Sequence, residues 1–357
     1  MRTVAIFYGG RSYEHDISII TAIQAMSYID VKKYRVIPVY MKDGILLGVK
    51  RPKEFMSYLN AQKGVKYSFA SGGLRRGLKY IKLDCALLAT HGGEGENGVL
   101  QGLFEYYRIP YTGPSAALSA VGMNKWVAKA VFAALGADTV RGELCEEREK
   151  IEASGYPLIV KPVTLGSSIG IEIAHDGKEL EGAIETAKYF DDCVIVEKAI
   201  TERIELNCAA ISCRGKVIVS AIEKPVTWSE YLTFKDKYNN TGKIRAEKEL
   251  PAKISPELEQ EVKKTTETLY SKMRLSGVVR FDYLYSVEDK ILYINEINTI
   301  PGSFAYYLFS ETGLSFTKLL DLMIDEGIAR GVIKNIQYKT EVLKQYISSG
   351  ALPKTAK

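Results

Sequence analysis

Residues Val278 to Gly302 read VVRFDYLYSVEDKILYINEINTIPG, and this stretch decides the fold class. Two runs rich in β-branched and aromatic residues flank a polar turn, Ser286 to Lys290, which is the pattern of a hairpin. Alternation along a strand puts Arg280 and Asp282 on one face and Phe281, Tyr283 and Tyr285 on the other. On the second strand the same period groups Leu292, Ile294, Glu296 and Asn298 against Ile291, Tyr293 and Ile297. Folding the hairpin brings Asp282 close to Glu296 and Asn298. With apolar residues on both faces, the sheet is expected to be covered on both sides, where unpaired carboxylates are costly. Two carboxylates and an amide oxygen there call for a counter-charge, which a hard cation such as Mg²⁺ supplies. Arg280 either neutralises part of the cluster or meets a phosphate. A solvated polar stripe is the alternative, but these residues lie inside the apolar runs and not at their ends.

A chain of 357 residues exceeds one ordinary core and implies two or three domains. Its 46% hydrophobic and 25% charged residues are those of a soluble globular protein. The net charge of +5 comes from 48 basic and 43 acidic residues, and there is no basic tract with interleaved aromatics. Nucleic acid is therefore not an expected partner. Five scattered cysteines without a CxxC pair point to neither a zinc site nor a disulfide framework, and reduced thiols fit a cytoplasmic setting. No run approaches the ~20 apolar residues of a membrane span.

Further strands are expected at Val4 to Tyr8, Val36 to Tyr40 and Cys85 to Thr90, with a helical pattern through Ile19, Ile23 and Met26. These alternating elements predict an α/β unit at the N-terminus. Ser12 or Asp16 is placed to cap that helix, with Glu14 and His15 at the same mouth. The third strand ends in HGGEGENGVLQG, His91 to Gly102. Its glycines let backbone amides approach a ligand, although a tight turn explains them equally. A charged, turn-rich stretch from Gly136 to about Gly155 reads as a boundary.

Beyond it, a strand from Tyr156 to Pro162 carries Lys161, and Gly166, Ser167, Ser168 and Gly170 form a loop suited to covering phosphates. Lys125 and Lys161 are the candidate phosphate charges. Another strand ends at Glu197, an acceptor for a purine amine or ribose hydroxyl, with Glu205 on the following turn. Val217 to Ile222 is expected to continue that sheet. The polar-aromatic segment from Trp228 to Gly242 reads as a closing loop. Helices are expected from Ser255 to about Met273 and Thr317 to about Ile328, and the tail after Tyr338 has room for one short helix.

Taken in order, Lys125, Lys161 with Gly-Ser-Ser-Ile-Gly, Glu197, Arg280-Phe-Asp282 and Glu296-Ile-Asn298-Thr-Ile-Pro-Gly resemble the ATP-grasp ligases. The GGRSYEHDIS start, HGGEGENGVLQG and Lys237-Tyr238 narrow the likeness to the D-alanine–D-alanine ligase family, over residues 1 to about 330. The resemblance implies an α/β N-terminal unit (1–122) and α+β ATP-grasp lobes at 123–198 and 199–335, followed by a tail (336–357). It implies that ATP activates one D-alanine as an acyl phosphate, which the amine of a second attacks, for cell-wall precursor synthesis. Lys125, Lys161 and Ser168 would then meet the nucleotide phosphates, and Glu197 and Glu205 the adenosine. Asp282, Glu296 and Asn298 would hold two Mg²⁺ ions, with Mn²⁺ as a substitute. Arg280 and the Gly302 amide would stabilise the acyl phosphate and the oxyanion. Glu14, with His91 beside it, would take the first substrate, oriented by Ser167 and Tyr238, while Lys237 reaches the phosphate on closure. A homodimer is also implied.

The chain departs from the family pattern at three places. Tyr307 holds the serine position that meets the acceptor carboxylate, Asn97 replaces an aspartate, and Thr201 to Glu205 replaces a glycine-arginine-glutamate hinge. Two other readings follow: an ATP-grasp ligase with a different acceptor (D-serine, D-lactate or another amine), and a catalytically silent nucleotide-binding homologue.

Overall fold

The computed structural model describes residues 1–49, 65–145, 155–225, 248–331 and 340–349. Its first third builds a seven-stranded sheet from β1 (Arg2–Gly9), β2 (Tyr34–Lys42), β3 (Ile45–Gly48), β4 (Lys66–Ala70), β5 (Gly73–Arg76), β6 (Lys79–Lys82) and β7 (Cys85–Leu88), in the order β6-β5-β4-β3-β2-β1-β7. β1 pairs in parallel with β2 and β7, which makes it the centre of the α/β part. Its apolar run Val4 to Tyr8 is accordingly buried throughout. At Gly9 the backbone bends with φ +87°, and a Cβ there would sit 2.5 Å from the Met41 carbonyl oxygen, so only glycine fits.

The chain then enters α1 (His15–Tyr28), whose N-cap is Glu14. Neither Ser12 nor Asp16 caps it through a side chain, contrary to expectation. Ser12 instead makes the preceding turn, its carbonyl accepting the His15 N–H and its hydroxyl accepting that of Glu14. The glycine-rich stretch after β7 folds into α2 (Gly93–Glu96) and α3 (Val99–Tyr106), so its amides serve helix starts. Asn97 accepts the Val99 N–H at 3.1 Å and thus does the acceptor's work an aspartate would do there. α4 (Ala116–Met123) follows, capped by Ser115.

Two antiparallel sheets complete the molecule. β8 (Gly142–Cys145), β9 (Leu158–Pro162), β10 (Glu172–Ala174) and β11 (Val194–Lys198) form one, ordered β10-β9-β11-β8. β12 (Arg203–Cys213), β13 (Lys216–Pro225), β14 (Lys248–Glu249), β15 (Val279–Ser286) and β16 (Ile291–Asn298) form the other, ordered β14-β13-β12-β15-β16. Three sequence expectations change here. The presumed boundary after Gly136 contains β8, which pairs with β11. Glu205 lies within the long strand β12 and not on a turn. Val217 to Ile222 joins the second sheet and does not continue that of β11.

Helices cover the sheets according to their apolar stripes. α5 (Lys125–Ala134) buries Ala128 and Phe132 in the core of the five-stranded sheet, on the far side of the boundary drawn at 198 from sequence. α6 (Gly177–Lys188) closes the small sheet through Leu180, Ala183 and Ala187. α7 (Pro256–Lys272) starts with a Ser255 cap and proline in its first turn, and lays Leu258, Val262 and Leu269 on the larger sheet. After β16 come a tight turn, α8 (Tyr306–Ser310) and α9 (Phe316–Arg330), which return to the N-terminal core. A short helix in the tail, α10 (Glu341–Ser348), ends the described chain. The five cysteines are free, and among the described residues no helix is long and apolar enough to cross a membrane.

Candidate active site

The β15–β16 hairpin forms as the sequence reads, with Asp282 opposite Glu296 and Arg280 opposite Asn298. The alternation does not run through it unbroken. Asp282 pairs with Glu296 but Tyr283 pairs with Ile294, so Asn295 is an extra residue and the strand bulges. Leu292 and Ile294 therefore join Ile297 in the core and do not share the face of Glu296 and Asn298. The bulge also frees Asn295 to accept a hydrogen bond from Lys161 Nζ at 3.1 Å. Arg280 grips Asp282 with two bonds of 2.7 and 2.8 Å, and Asn298 Nδ2 donates to the same carboxylate at 2.9 Å. Burial works against the Arg280 charge, but Asp282 outweighs it and holds the guanidinium well above its ordinary value.

Facing this hairpin are α5 and the two inner strands of the small sheet, β9 and β11. Lys125 opens α5 behind an Asn124 cap, and its ammonium donates to the Leu165 carbonyl and stands 4.0 Å from Glu296. Lys161 Nζ lies 2.8 Å from Glu197. Sequence reasoning missed Lys129, whose Nζ meets the other Glu197 oxygen at 2.8 Å. Its spacing of one helical turn from Lys125 was the available signal. Glu197 is thus enclosed by two lysines, 1% exposed at its side chain. Burial pushes its carboxyl up, and Lys161 and Lys129 together more than reverse that. Glu197 thus pairs with both lysines, while its Oε1 has no hydrogen-bond partner and keeps acceptor capacity toward the cleft. Glu205 accepts from Arg203 at 3.0 Å and lines the same cleft as Lys125, Lys161, Ser168, Arg280, Asp282 and Glu296.

A second cavity, about 370 Å³, adjoins that cleft and shares Leu165 and Gly166 as a common wall. Glu14 lies in it, and the Ser167 hydroxyl donates to Glu14 Oε1, as the sequence pairing expected. A Cβ on Gly92 would come within 2.7 Å of the Glu14 carboxylate, so the absent side chain makes its room. Ser167 and Ser168 both hold left-handed backbone (φ +55° and +59°). Lys237 and Tyr238, with the expected closing loop, lie outside the described residues.

His91 does not stand free beside Glu14. It is 3% exposed, and both ring nitrogens are engaged. Nδ1–H donates to the Ile300 carbonyl at 2.7 Å, so Nε2 accepts from the Thr21 hydroxyl at 2.7 Å. Burial lowers its pKa, with Glu14 opposing, in keeping with a neutral ring. Thr21 in turn accepts the Ser303 N–H. Glu96, also missed from sequence, accepts the Ile300 N–H at 2.8 Å, the Thr299 hydroxyl at 3.1 Å and the Gly92 N–H at 3.0 Å. His91 is therefore a loop anchor through both ring nitrogens. Gly302 opens the turn that follows, where an N–H has no partner within the turn itself. Ser303, Phe304 and Ala305 then adopt left-handed backbone, at roughly 1–2 kcal/mol per residue, with Phe304 and Ala305 wholly buried. Tyr307 follows; its hydroxyl donates to Glu223 at 2.9 Å, and Asn207 bonds the same oxygen.

Asp282, Glu296 and Asn298 are hard oxygen donors on one face and so fit a divalent cation in kind. Among the described residues no group of three or more His, Cys, Asp or Glu side chains would hold a metal alone.

Two antiparallel sheets closing on a cleft that gathers Lys125, Lys161, Arg280 and a carboxylate pair define an ATP-grasp protein. Family models described as D-ala D-ala ligase N-terminus and C-terminus match residues 3–114 and 120–325. A D-alanine–D-alanine ligase of Thermosipho melanesiensis is 37% identical, covering 96% of this chain and 99% of its own. The D-Ala:D-Ser ligase VanG of Enterococcus faecalis superposes with TM-score 0.81 at 28% identity, over 91% of this chain and 99% of that one. The ATP complex of a Bacillus anthracis D-alanine–D-alanine ligase does so with TM-score 0.69 at 25% identity, over 92% and 98%. The chain belongs to the D-alanine–D-alanine ligase family, a family of ATP-dependent ligases.

Proposed function

We propose that the chain joins two D-alanines to D-alanyl-D-alanine with ATP, through an acyl phosphate, in peptidoglycan precursor synthesis. The observation that carries this reading is the wall Leu165–Gly166, shared by a pocket containing Glu14 and a cleft lined by two lysines and Arg280. A small ammonium-bearing acid in the first lies next to a phosphate chain in the second. Glu14, oriented by Ser167 and by Tyr238, holds the ammonium of the first D-alanine. Lys125 and Lys161, with Ser168, meet the ATP phosphates, and Glu197 and Glu205 the adenosine. A carboxylate oxygen of the D-alanine attacks the γ-phosphorus and ADP leaves. The amine of the second D-alanine attacks the acyl carbon, the bond to phosphate breaks, and a proton leaves the nitrogen. Arg280 and the Gly302 N–H face the charge that develops, and Lys237 closes on the phosphate. Asp282, Glu296 and Asn298 would hold two Mg²⁺ ions, or Mn²⁺, which offset phosphate charge. The homodimer, the cytoplasmic setting and the divisions at 122, 198 and 335 belong to the same reading.

A second acceptor is favoured by one contact. Tyr307 gives its hydroxyl to buried Glu223, so an acceptor carboxylate meets it only by displacing Glu223. The test is phosphate release with Mg-ATP, D-alanine and a panel of acceptors. Release with D-alanine alone and dipeptide as product supports the proposal. Release only with D-serine, D-lactate or another amine supports the second reading, and ATP binding without any release refutes both.

A further inference from the structure

Two glycines touch where the N-terminal sheet meets the strand that carries Arg280 and Asp282. A Cβ on Gly277, which has φ +68°, would lie 2.7 Å from Gly113 Cα. Ser276 Oγ donates to the Gly113 carbonyl at 2.7 Å, and the Gly277 N–H donates to Glu326 at 2.6 Å. The Arg330 guanidinium donates to the Gly113 carbonyl and to Ser276 through one nitrogen, and to the Tyr111 carbonyl at 2.9 Å through the other. It also lies 4.3 Å from the Tyr111 ring centre. Glu326 and Arg330 are one turn apart on α9, just past residue 325, where the family match ends.

This junction connects to three parts of the site. Gly277 leads directly into β15 and Arg280. Gly113 leads through the Ser115 cap and α4 to Lys125. Tyr111 bridges Ala86 on β7, the neighbour of β1, whose end turns into the Glu14 loop. Arg330 is itself exposed, and bonds of a solvated arginine add little stability. Its fork instead selects one register of two carbonyls and a hydroxyl.

We propose that Arg330 and Glu326 are positioning residues, locking the Gly113–Gly277 contact and so the spacing between the Glu14 pocket and the phosphate-facing strand β15. This rests on the function proposed above. Misplacing reacting groups by about 1 Å costs up to roughly 100-fold in rate, and a loosened junction produces such an error without touching a ligand.

The experiment is initial-rate kinetics on the full chain, with phosphate and dipeptide both counted and thermal unfolding measured alongside. Arg330→Met is expected to lower kcat about ten-fold or more, to leave the KM for ATP nearly unchanged, and to release more phosphate per dipeptide than wild type at an unaltered unfolding midpoint. Arg330→Lys recovers part of this at most, because an ammonium does not span both carbonyls. Glu326→Gln keeps an acceptor for Gly277 and shifts kcat in the same direction by less. Wild-type kcat and coupling in Arg330→Met, or a kcat reduced only in step with the folded fraction, overturns the positioning role. Absence of D-alanine-dependent release in the wild-type chain overturns the functional reading and the positioning role together.

Discussion

His91 Nδ1 lies 2.7 Å from the carbonyl oxygen of Ile300, a residue 209 positions further along the chain. Glu96, from the same glycine-rich segment, takes the N–H of that residue. Both peptide groups flanking the side chain are thus fixed two positions before Gly302, whose amide is assigned to the oxyanion. The HGGEGENG segment thus holds the Ile300 peptide groups that lead into the Pro301–Gly302 loop.

Glu96 makes a first prediction. Its three partners are all donors, so only an acceptor on both oxygens satisfies them, and Glu96→Gln sets an amide N–H against one of them at about 1–3 kcal/mol. Burial first, and then the Glu14 charge, raise its carboxyl to about 7 from an ordinary 4.5. The folded protein therefore keeps a proton that the unfolded chain has released between those values, and stability falls as pH rises through that window. Urea unfolding at about pH 5 and about pH 8 is expected to show this slope in wild type and a flatter one in the variant. Identical slopes would remove Glu96 as its source.

Glu197 makes a second, since Lys129 and Lys161 share it. Lys129→Met leaves a buried carboxylate half paired and is expected to cost about 2–3 kcal/mol of stability with little change in the KM for ATP. Lys161→Met is expected to cost as much and also to raise that KM, since Lys161 alone lines the cleft. Equal ATP kinetics in the two variants would contradict the division.

A third concerns Glu296. Glu296→Gln keeps size and hydrogen bonding but removes a negative charge from the cation face, and turnover is expected to fall at least about 100-fold at an unchanged unfolding midpoint. Turnover within a few-fold of wild type, or an unchanged Mg²⁺ requirement, would separate Glu296 from the metal.

Tyr307 makes a fourth. Tyr307→Phe strips buried Glu223 of a donor, worth about 1–3 kcal/mol. The KM for the second D-alanine is expected to change and that for ATP to stay the same. Unaltered acceptor kinetics would take Tyr307 out of substrate selection.

Much of this site was legible in the sequence because its polar residues interrupt apolar runs. Arg280, Asp282, Glu296 and Asn298 were placed on one hairpin, which forms. What was not legible depends on events without a residue signature. The bulge at Asn295 shifts the face of Leu292 and Ile294, and a period of two cannot announce an extra residue. The neighbours of Glu197 and His91 were not legible either, since Lys129 and Thr21 reach them only through the packing of α5 and α1. The left-handed turn at Ser303 to Ala305 contains no glycine to signal it and persists because Phe304 and Ala305 are enclosed.

The proposed reaction begins with phosphorylation of a D-alanine carboxylate in this cleft. The most direct measurement uses D-alanine labelled with ¹⁸O in its carboxylate, turned over with ATP and Mg²⁺, and mass analysis of the phosphate released. An acyl phosphate predicts one labelled oxygen in each phosphate and a dipeptide that has lost it. Unlabelled phosphate formed alongside dipeptide, or no phosphate release that depends on D-alanine, would contradict the account.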